Sequence, residues 1–139
     1  MAENRHFIYD GPVAGFYYRS KEVRKLARKI YKKKLENDEI LIGDDFKEEA
    51  DYGIYLENIK VLHNPENKYD KNAIEVYSDD IFIGYIPKTS NKRVLKELDD
   101  NKDKTIYYEA CYTKEDENDE FFDDYNEPER VDLSIYYDY

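Results

Sequence analysis

Apolar and polar positions follow two rhythms along this chain. Short stretches alternate with a period of two, and two longer ones repeat near 3.6. Phe7-Ile8-Tyr9 is a short apolar run closed by a Gly11-Pro12 break. Val13 to Tyr18 then reads as a strand, with Gly15 inside it marking a bulge or a close backbone approach. Residues 20–36, SKEVRKLARKIYKKKLE, give the clearest helix. Val23, Leu26, Ala27, Ile30, Tyr31 and Leu35 fall on one face, Ser20 is placed to cap, and Glu22 sits in the first turn.

Residues 37–53 are mostly polar and acidic, with Gly43 and Gly53 as breakers, and predict a short strand near 39–42 and then a loop. Ile54 to His63 alternates and predicts one long strand. A polar loop follows over 64–72. Two apolar runs come next, Ala73 to Tyr77 and Ile81 to Ile86, split by Ser78-Asp79-Asp80. They are rich in Val, Ile, Phe and Tyr and predict a tight hairpin. Asn91 to Leu98 predicts a second helix with Val94, Leu95 and Leu98 inward, and Thr105 to Thr113 a strand. Residues 114–129, KEDENDEFFDDYNEPE, are too charged for a core and read as a mobile acidic loop or linker. Val131, Leu133 and Ile135 alternate with Asp132 and Ser134, which predicts a last strand pairing with 105–113. The sum is a mainly β, α+β domain: a small β-barrel of about six strands with two helices. The expected division is a barrel domain over 1–114, an acidic loop over 115–129, and a C-terminal strand over 130–139 packing back on the barrel.

Length fits one domain with a core, and no repeat is visible. No apolar run approaches a membrane span, and the N-terminus does not read as a signal peptide. The single Cys111 excludes an internal disulfide and fits a reducing, cytoplasmic setting. Net charge is −11, which taken alone opposes nucleic-acid binding. Its distribution changes that. Residues 115–139 hold eleven acids and the one base Arg130, which leaves 21 bases against 22 acids in residues 1–114. The body is therefore near neutral. The predicted helix over 20–36 carries eight bases, among them Arg24, Lys25, Arg28, Lys29 and Lys32. They form either a solvated outer face or a docking surface for phosphates or an acidic partner, and the chain's own acidic block is a further candidate to lie against them.

No catalytic set is present. His6 and His63 have no nucleophile near them in sequence, and Cys111 reads as a small buried hydrophobe. There is no P-loop, dinucleotide fingerprint or HExxH. Asp116, Asn118 and Glu120 alternate like part of a calcium loop but lack its glycine and terminal spacing. The reading is a non-enzyme without metal or cofactor.

Binding chemistry concentrates around Asn64-Pro65-Glu66-Asn67-Lys68-Tyr69-Asp70-Lys71-Asn72, a turn-forming loop with one large ring in its middle. Asn67 to Ile74, followed after a strand by Ile83-Gly84-Tyr85-Ile86-Pro87-Lys88, resembles the signature of HIRAN domains. Val13 to Arg19 resembles that family's first strand, so the resemblance spans about residues 12–113. Lys68 stands where proline is usual, the first helix is long, and the acidic segment is an addition. The resemblance implies an OB-type barrel that grips the 3′ end of single-stranded DNA. Carried over by position, Tyr69 and Asp70 form the end pocket, with Asp70 accepting a hydrogen bond from a free 3′-hydroxyl and repelling a 3′-phosphate. Tyr18 and Tyr69 stack bases, at about 1–3 kcal/mol each. Tyr85 lines the pocket, Lys88 meets a phosphate, and Lys71 assists. Ordinary strand packing is the rival reading for Tyr18 and Tyr85, and an Asx-turn is the rival for Asp70.

Two other functions fit the composition. The acids Glu115, Asp116, Glu117, Asp119, Glu120, Asp123 and Asp124 suit a small DNA mimic that blocks a nuclease, as phage anti-CRISPR and other anti-defence proteins do. The implied partner is then a nucleic-acid-processing protein. The last alternative is an assembly role in which the acidic loop confers solubility.

Overall fold

Among the described residues, hydrogen bonding divides the strands into two antiparallel sheets, and two helices pack with them; the class is mainly β with an α contribution. The computed structural model describes residues 4–37, 53–114 and 129–139. The expected strand at 39–42 lies outside these residues, as do 115–128 of the acidic stretch. The first sheet runs β1 (Arg5–Pro12), β7 (Glu129–Asp138), β6 (Tyr107–Lys114), β2 (Ile54–Tyr55). The second runs β3 (Ile59–His63), β4 (Ile74–Ser78), β5 (Ile81–Tyr85). The helices are α1 (Ser20–Glu36) and α2 (Lys88–Asp100).

Among the described residues these seven strands do not close into one continuous barrel; the two sheets meet at corners. At one corner Ala14 and Tyr85 exchange backbone hydrogen bonds of 2.7 and 2.8 Å. At the other the chain passes from β2 to β3 through Leu56–Asn58, where Asn58 takes a φ of +52°. That turn divides the single long strand predicted over 54–63. Asn tolerates the left-handed region better than most residues, which permits the break.

The first strand lies upstream of its expected place. Arg5 to Pro12 pairs with β7, from Arg5 opposite Asp138 to Pro12 opposite Asp132. A register shift between Phe7 and Tyr9 lets both Ile8 and Tyr9 reach the core. Proline is tolerated because it ends the strand. Residues 16–18, expected as the end of a strand, belong instead to a 3-10 turn over Phe16–Arg19 that leads directly into α1. Arg19, not Ser20, holds the N-cap position, and no side chain caps the helix.

The periodicities locate the core correctly. Val23, Leu26, Ala27, Ile30 and Tyr31 of α1 are buried in one cluster with Ile8, Ile54, Val76, Ile83, Leu133 and Ile135. Strand β7 pairs with β6 as expected, from Tyr107 opposite Tyr136 to Lys114 opposite Glu129. The β4–β5 hairpin forms around Asp79 and Asp80, with φ of +48° and +66°. Two consecutive left-handed residues match the twist of a two-residue hairpin. Asn58 Nδ2 donates to Asp79 and Lys60 pairs with Asp80, which holds the turn.

The close approach at the Ala14–Tyr85 corner requires a glycine. Gly84 has a φ of +149°, and a Cβ there would lie 2.5 Å from both the Ala14 carbonyl oxygen and Val13 Cγ1. Gly15 has a φ of +73° but open space around it, its nearest contact being Tyr85 Cδ2 at 3.7 Å. Gly84→Ala is therefore expected to cost about 2–4 kcal/mol, combining backbone strain and overpacking. Gly15→Ala should cost about 1–2 kcal/mol, from backbone conformation alone. Urea denaturation of both variants checks the order.

Candidate nucleic-acid interface

The loop between β3 and β4 is tied to itself at almost every residue. Asn64 Oδ1 accepts the Glu66 N–H at 3.1 Å. Asn67 Oδ1 accepts the N–H groups of Tyr69 and Asp70 at 2.9 and 3.1 Å. Asp70 Oδ1 accepts the Asn72 N–H at 2.9 Å, an Asx-turn. The His63 ring donates from Nε2 to the Lys71 carbonyl at 2.8 Å, and the Asn64 N–H closes the base on the Ala73 carbonyl at 2.8 Å. Held this way, the loop presents Tyr69 at 90% exposure.

Beside Tyr69 opens a cavity of about 290 Å³. Asp70, Tyr85, Lys88, Asn67 and Asn91 supply its polar groups, and Ala14, Ala73 and Ile86 its apolar wall. Four predicted site residues, Tyr69, Asp70, Tyr85 and Lys88, thus come together at one place. Two do not. Tyr18 sits on the 3-10 turn at 83% exposure and does not line the cavity. Lys71 is exposed on the loop and outside the lining.

Asp70 is both a turn-former and an open acceptor. Its Oδ2 accepts from Asn91 Nδ2 at 2.7 Å while Oδ1 serves the Asx-turn. Each carboxylate oxygen has further lone-pair capacity, so two bonds do not exhaust it. The Asn72 N–H, first of all, holds the Asp70 carboxyl below its ordinary pKa. Partial desolvation opposes this, and the Asn91 amide and the Lys88 and Lys92 charges reinforce it. Lys88 opens α2, so the cavity also faces the partial positive charge of a helix N-terminus.

Asn91 is the cavity-lining residue that pattern reading missed. It is 2% exposed and packs inward with Val94. The available signal was a polar residue at i, on the apolar face of i+3, i+4 and i+7 (Val94, Leu95, Leu98). A larger depression of about 510 Å³ at Lys104, Tyr107 and Tyr139 holds none of the predicted site residues. Its cation, Lys104, already lies over the Tyr137 ring at 4.5 Å.

The basic face of α1 needs one correction. Arg24 is not a free surface charge: its Nε donates to Glu129 Oε1 at 2.7 Å, and Glu129 is buried. Lys114 stands 4.0 Å from the same carboxylate. Beneath them Tyr112 is fully buried, and burial first, then the Glu129 charge, pushes its hydroxyl up to about 12. Lys25, Arg28, Lys29 and Lys32 remain exposed. The acidic residues from Glu115 to Asp124 lie outside the described residues. Cys111 is only partly buried in β6, and burial raises its thiol pKa, which disfavours the thiolate. Among the described residues no group of three His, Cys, Asp or Glu side chains is placed to hold a metal ion. Nor, among them, is any helix long and apolar enough to cross a membrane.

The family model for the HIRAN domain matches residues 7–136 of the chain. No curated protein and no solved structure matches it.

The Asp70 geometry makes a pH prediction. A depressed folded-state pKa means that the ionised carboxylate's contribution to stability is present above the pKa of an unfolded aspartate. It is lost as pH falls through the lower folded value. Carbon NMR of the carboxyl should place the Asp70 midpoint below that of ordinary aspartates, and Asn91→Ala should move it upward. An unmoved midpoint would show that Asn91 does not hold this carboxylate.

Proposed function

The chain belongs to the HIRAN domain family of DNA-binding modules, and from that premise we propose that its cavity grips the free 3′-hydroxyl end of single-stranded DNA. The observation that carries this reading is the meeting of an exposed ring, an ionised acceptor and a cation around about 290 Å³. A terminal hydroxyl has a proton to donate, and Asp70 is an acceptor with capacity left. A 3′-phosphate brings a second anion against Asp70 in a confined space, which disfavours it. Tyr69 offers its face to a base. Lys88 and the N-terminus of α2 suit the phosphate that links the last two nucleotides.

In this reading the domain binds and does not catalyse. It acts by bringing a strand end to a nucleic-acid-processing partner, or that partner to the end. The net charge of −11 does not oppose it, because Lys88 lines the cavity and the Lys92 charge acts on Asp70, while much of the acid surplus lies in residues 115–128. Screening confines exposed charges to roughly 8–10 Å at ordinary ionic strength, so local groups decide.

Fluorescence anisotropy with 3′-hydroxyl and 3′-phosphate oligonucleotides tests the proposal. The hydroxyl form should bind at least about tenfold tighter, the scale of one charge-assisted hydrogen bond. Asp70→Asn keeps an oxygen for the Asx-turn but removes the charge, and should narrow that difference. Tyr69→Ser should weaken both ends roughly tenfold through lost stacking. Equal affinity for the two ends, or none for either, would reject the reading.

A further inference from the structure

Phe82 is a half-buried ring on the outward face of β5, outside the core cluster. Neither the buried core nor the apolar residues packed against it include Phe82, Tyr77 or Tyr85. The hairpin register pairs Tyr77 with Phe82 and Glu75 with Tyr85, which sets all three rings on one side of the sheet. Their centroids follow one another at 5.1 Å (Tyr85 to Phe82) and 5.6 Å (Phe82 to Tyr77). Tyr85 also lines the end cavity, so the row begins inside the proposed site and leads out of it. Arg19 lies over the middle of the row, its Cζ 5.0 Å from the Phe82 centroid. A guanidinium stacked on a ring covers that face, offers its own outer face to a base and keeps its N–H edge for a phosphate.

We infer that this row is a second nucleotide subsite, taking the bases that precede the terminal nucleotide, with Arg19 meeting their backbone. The inference rests on the end-binding reading above and extends its footprint. Stacking on rings is indifferent to base identity, and a nearby cation supplies the phosphate contact that such surfaces need. The acids on this face are held in fixed positions. Glu75 accepts from Asn64 Nδ2 at 3.1 Å and from the Tyr77 hydroxyl at 2.8 Å. Asp79 and Asp80 occupy the hairpin turn, where Asn58 and Lys60 hold them. Their charge closes the turn end of the row to phosphates. The strand is thereby directed toward Arg19 and the exposed Lys21 at the start of α1.

A length series of 3′-hydroxyl oligothymidylates, from dinucleotide to octanucleotide, tests this by anisotropy on the full chain. Affinity should rise beyond the dinucleotide and then level off. Phe82→Ser should weaken the hexanucleotide roughly five- to tenfold and leave the dinucleotide unchanged, and Phe82→Tyr should restore it. Arg19→Gln lies outside the sheet and tests the row without disturbing the hairpin. It should lower the salt dependence of hexanucleotide binding by about one ion. Affinity independent of length, or equal losses for short and long strands in both variants, overturns the subsite while leaving the end pocket standing. No binding at any length overturns the end pocket itself, and the subsite with it.

Discussion

The backbone contact between Ala14 and Tyr85 is the constraint on which the rest of this structure depends. It is a single bridge of two hydrogen bonds, yet it joins the sheets and seats the segment after β1 directly against β5. The approach is so close that residue 84 can have no side chain. Three consequences follow from it. Ala14 becomes a wall of the end cavity, and Tyr85 is fixed as the wall next to it. The chain then turns at Gly15 into the 3-10 turn, which starts α1 and carries Arg19 to the Phe82 ring. A sheet corner, a pocket wall and a cation over an aromatic row thus share one origin. Backbone hydrogen bonds and a missing Cβ set them.

Electrostatics in this protein is local in the same way. The chain's surplus of acid is large, but beside Asp70 the charged groups near the cavity include Lys88, Lys92 and a helix N-terminus. Glu129, at the end of the acidic stretch, is not a surface charge at all. It is buried against Arg24, above the fully buried Tyr112. Removing Arg24 leaves the buried Glu129 carboxylate with Lys114 at 4.0 Å as its neighbouring cation, so the loss is smaller than the roughly 3–5 kcal/mol typical of a fully buried pair. The role of Glu129 is therefore to fasten the start of β7 to α1. That also removes one base from the eight that the helix sequence offers to a partner. Counting charges along the sequence overstates both the acidity that reaches solvent and the basicity of the helix face.

What was legible in the sequence was whatever local chemistry enforces. The apolar stripe of α1, the alternation of β6 and β7, and the paired aspartates of the hairpin each specify their element without help from distant residues. The loop between β3 and β4 belongs here too, because Asn64, Asn67 and Asp70 bond neighbours within three residues. What was not legible depended on tertiary partners. Gly11-Pro12 reads as a break, but β7 supplies a pairing edge that carries the strand through to Pro12. The apparent strand over 54–63 bends at Asn58 because its two halves serve different sheets. Ser20 loses its capping role because the preceding turn is already helical. Asn91 looked like an ordinary first-turn residue, and its meaning lies in Asp70, distant in sequence.

Asp70 shows why the two readings of that loop, structural and functional, need not compete. A carboxylate free to rotate would have to be ordered on binding, at a cost in side-chain entropy that subtracts from affinity. Here the Asn72 N–H and the Asn91 amide each hold one oxygen, and the same bonds keep the group ionised. The Asx-turn therefore fixes the orientation of the carboxylate. The loop does the same for Tyr69, whose backbone N–H is fixed by Asn67 while its ring stands in solvent. A ring that packed into the core would be equally rigid but unable to meet a base. One on a loose loop would be available but costly to order. Tying the backbone while leaving the ring exposed resolves that opposition, and it explains why a loop with so many internal hydrogen bonds carries its largest side chain where it touches almost nothing of its own chain.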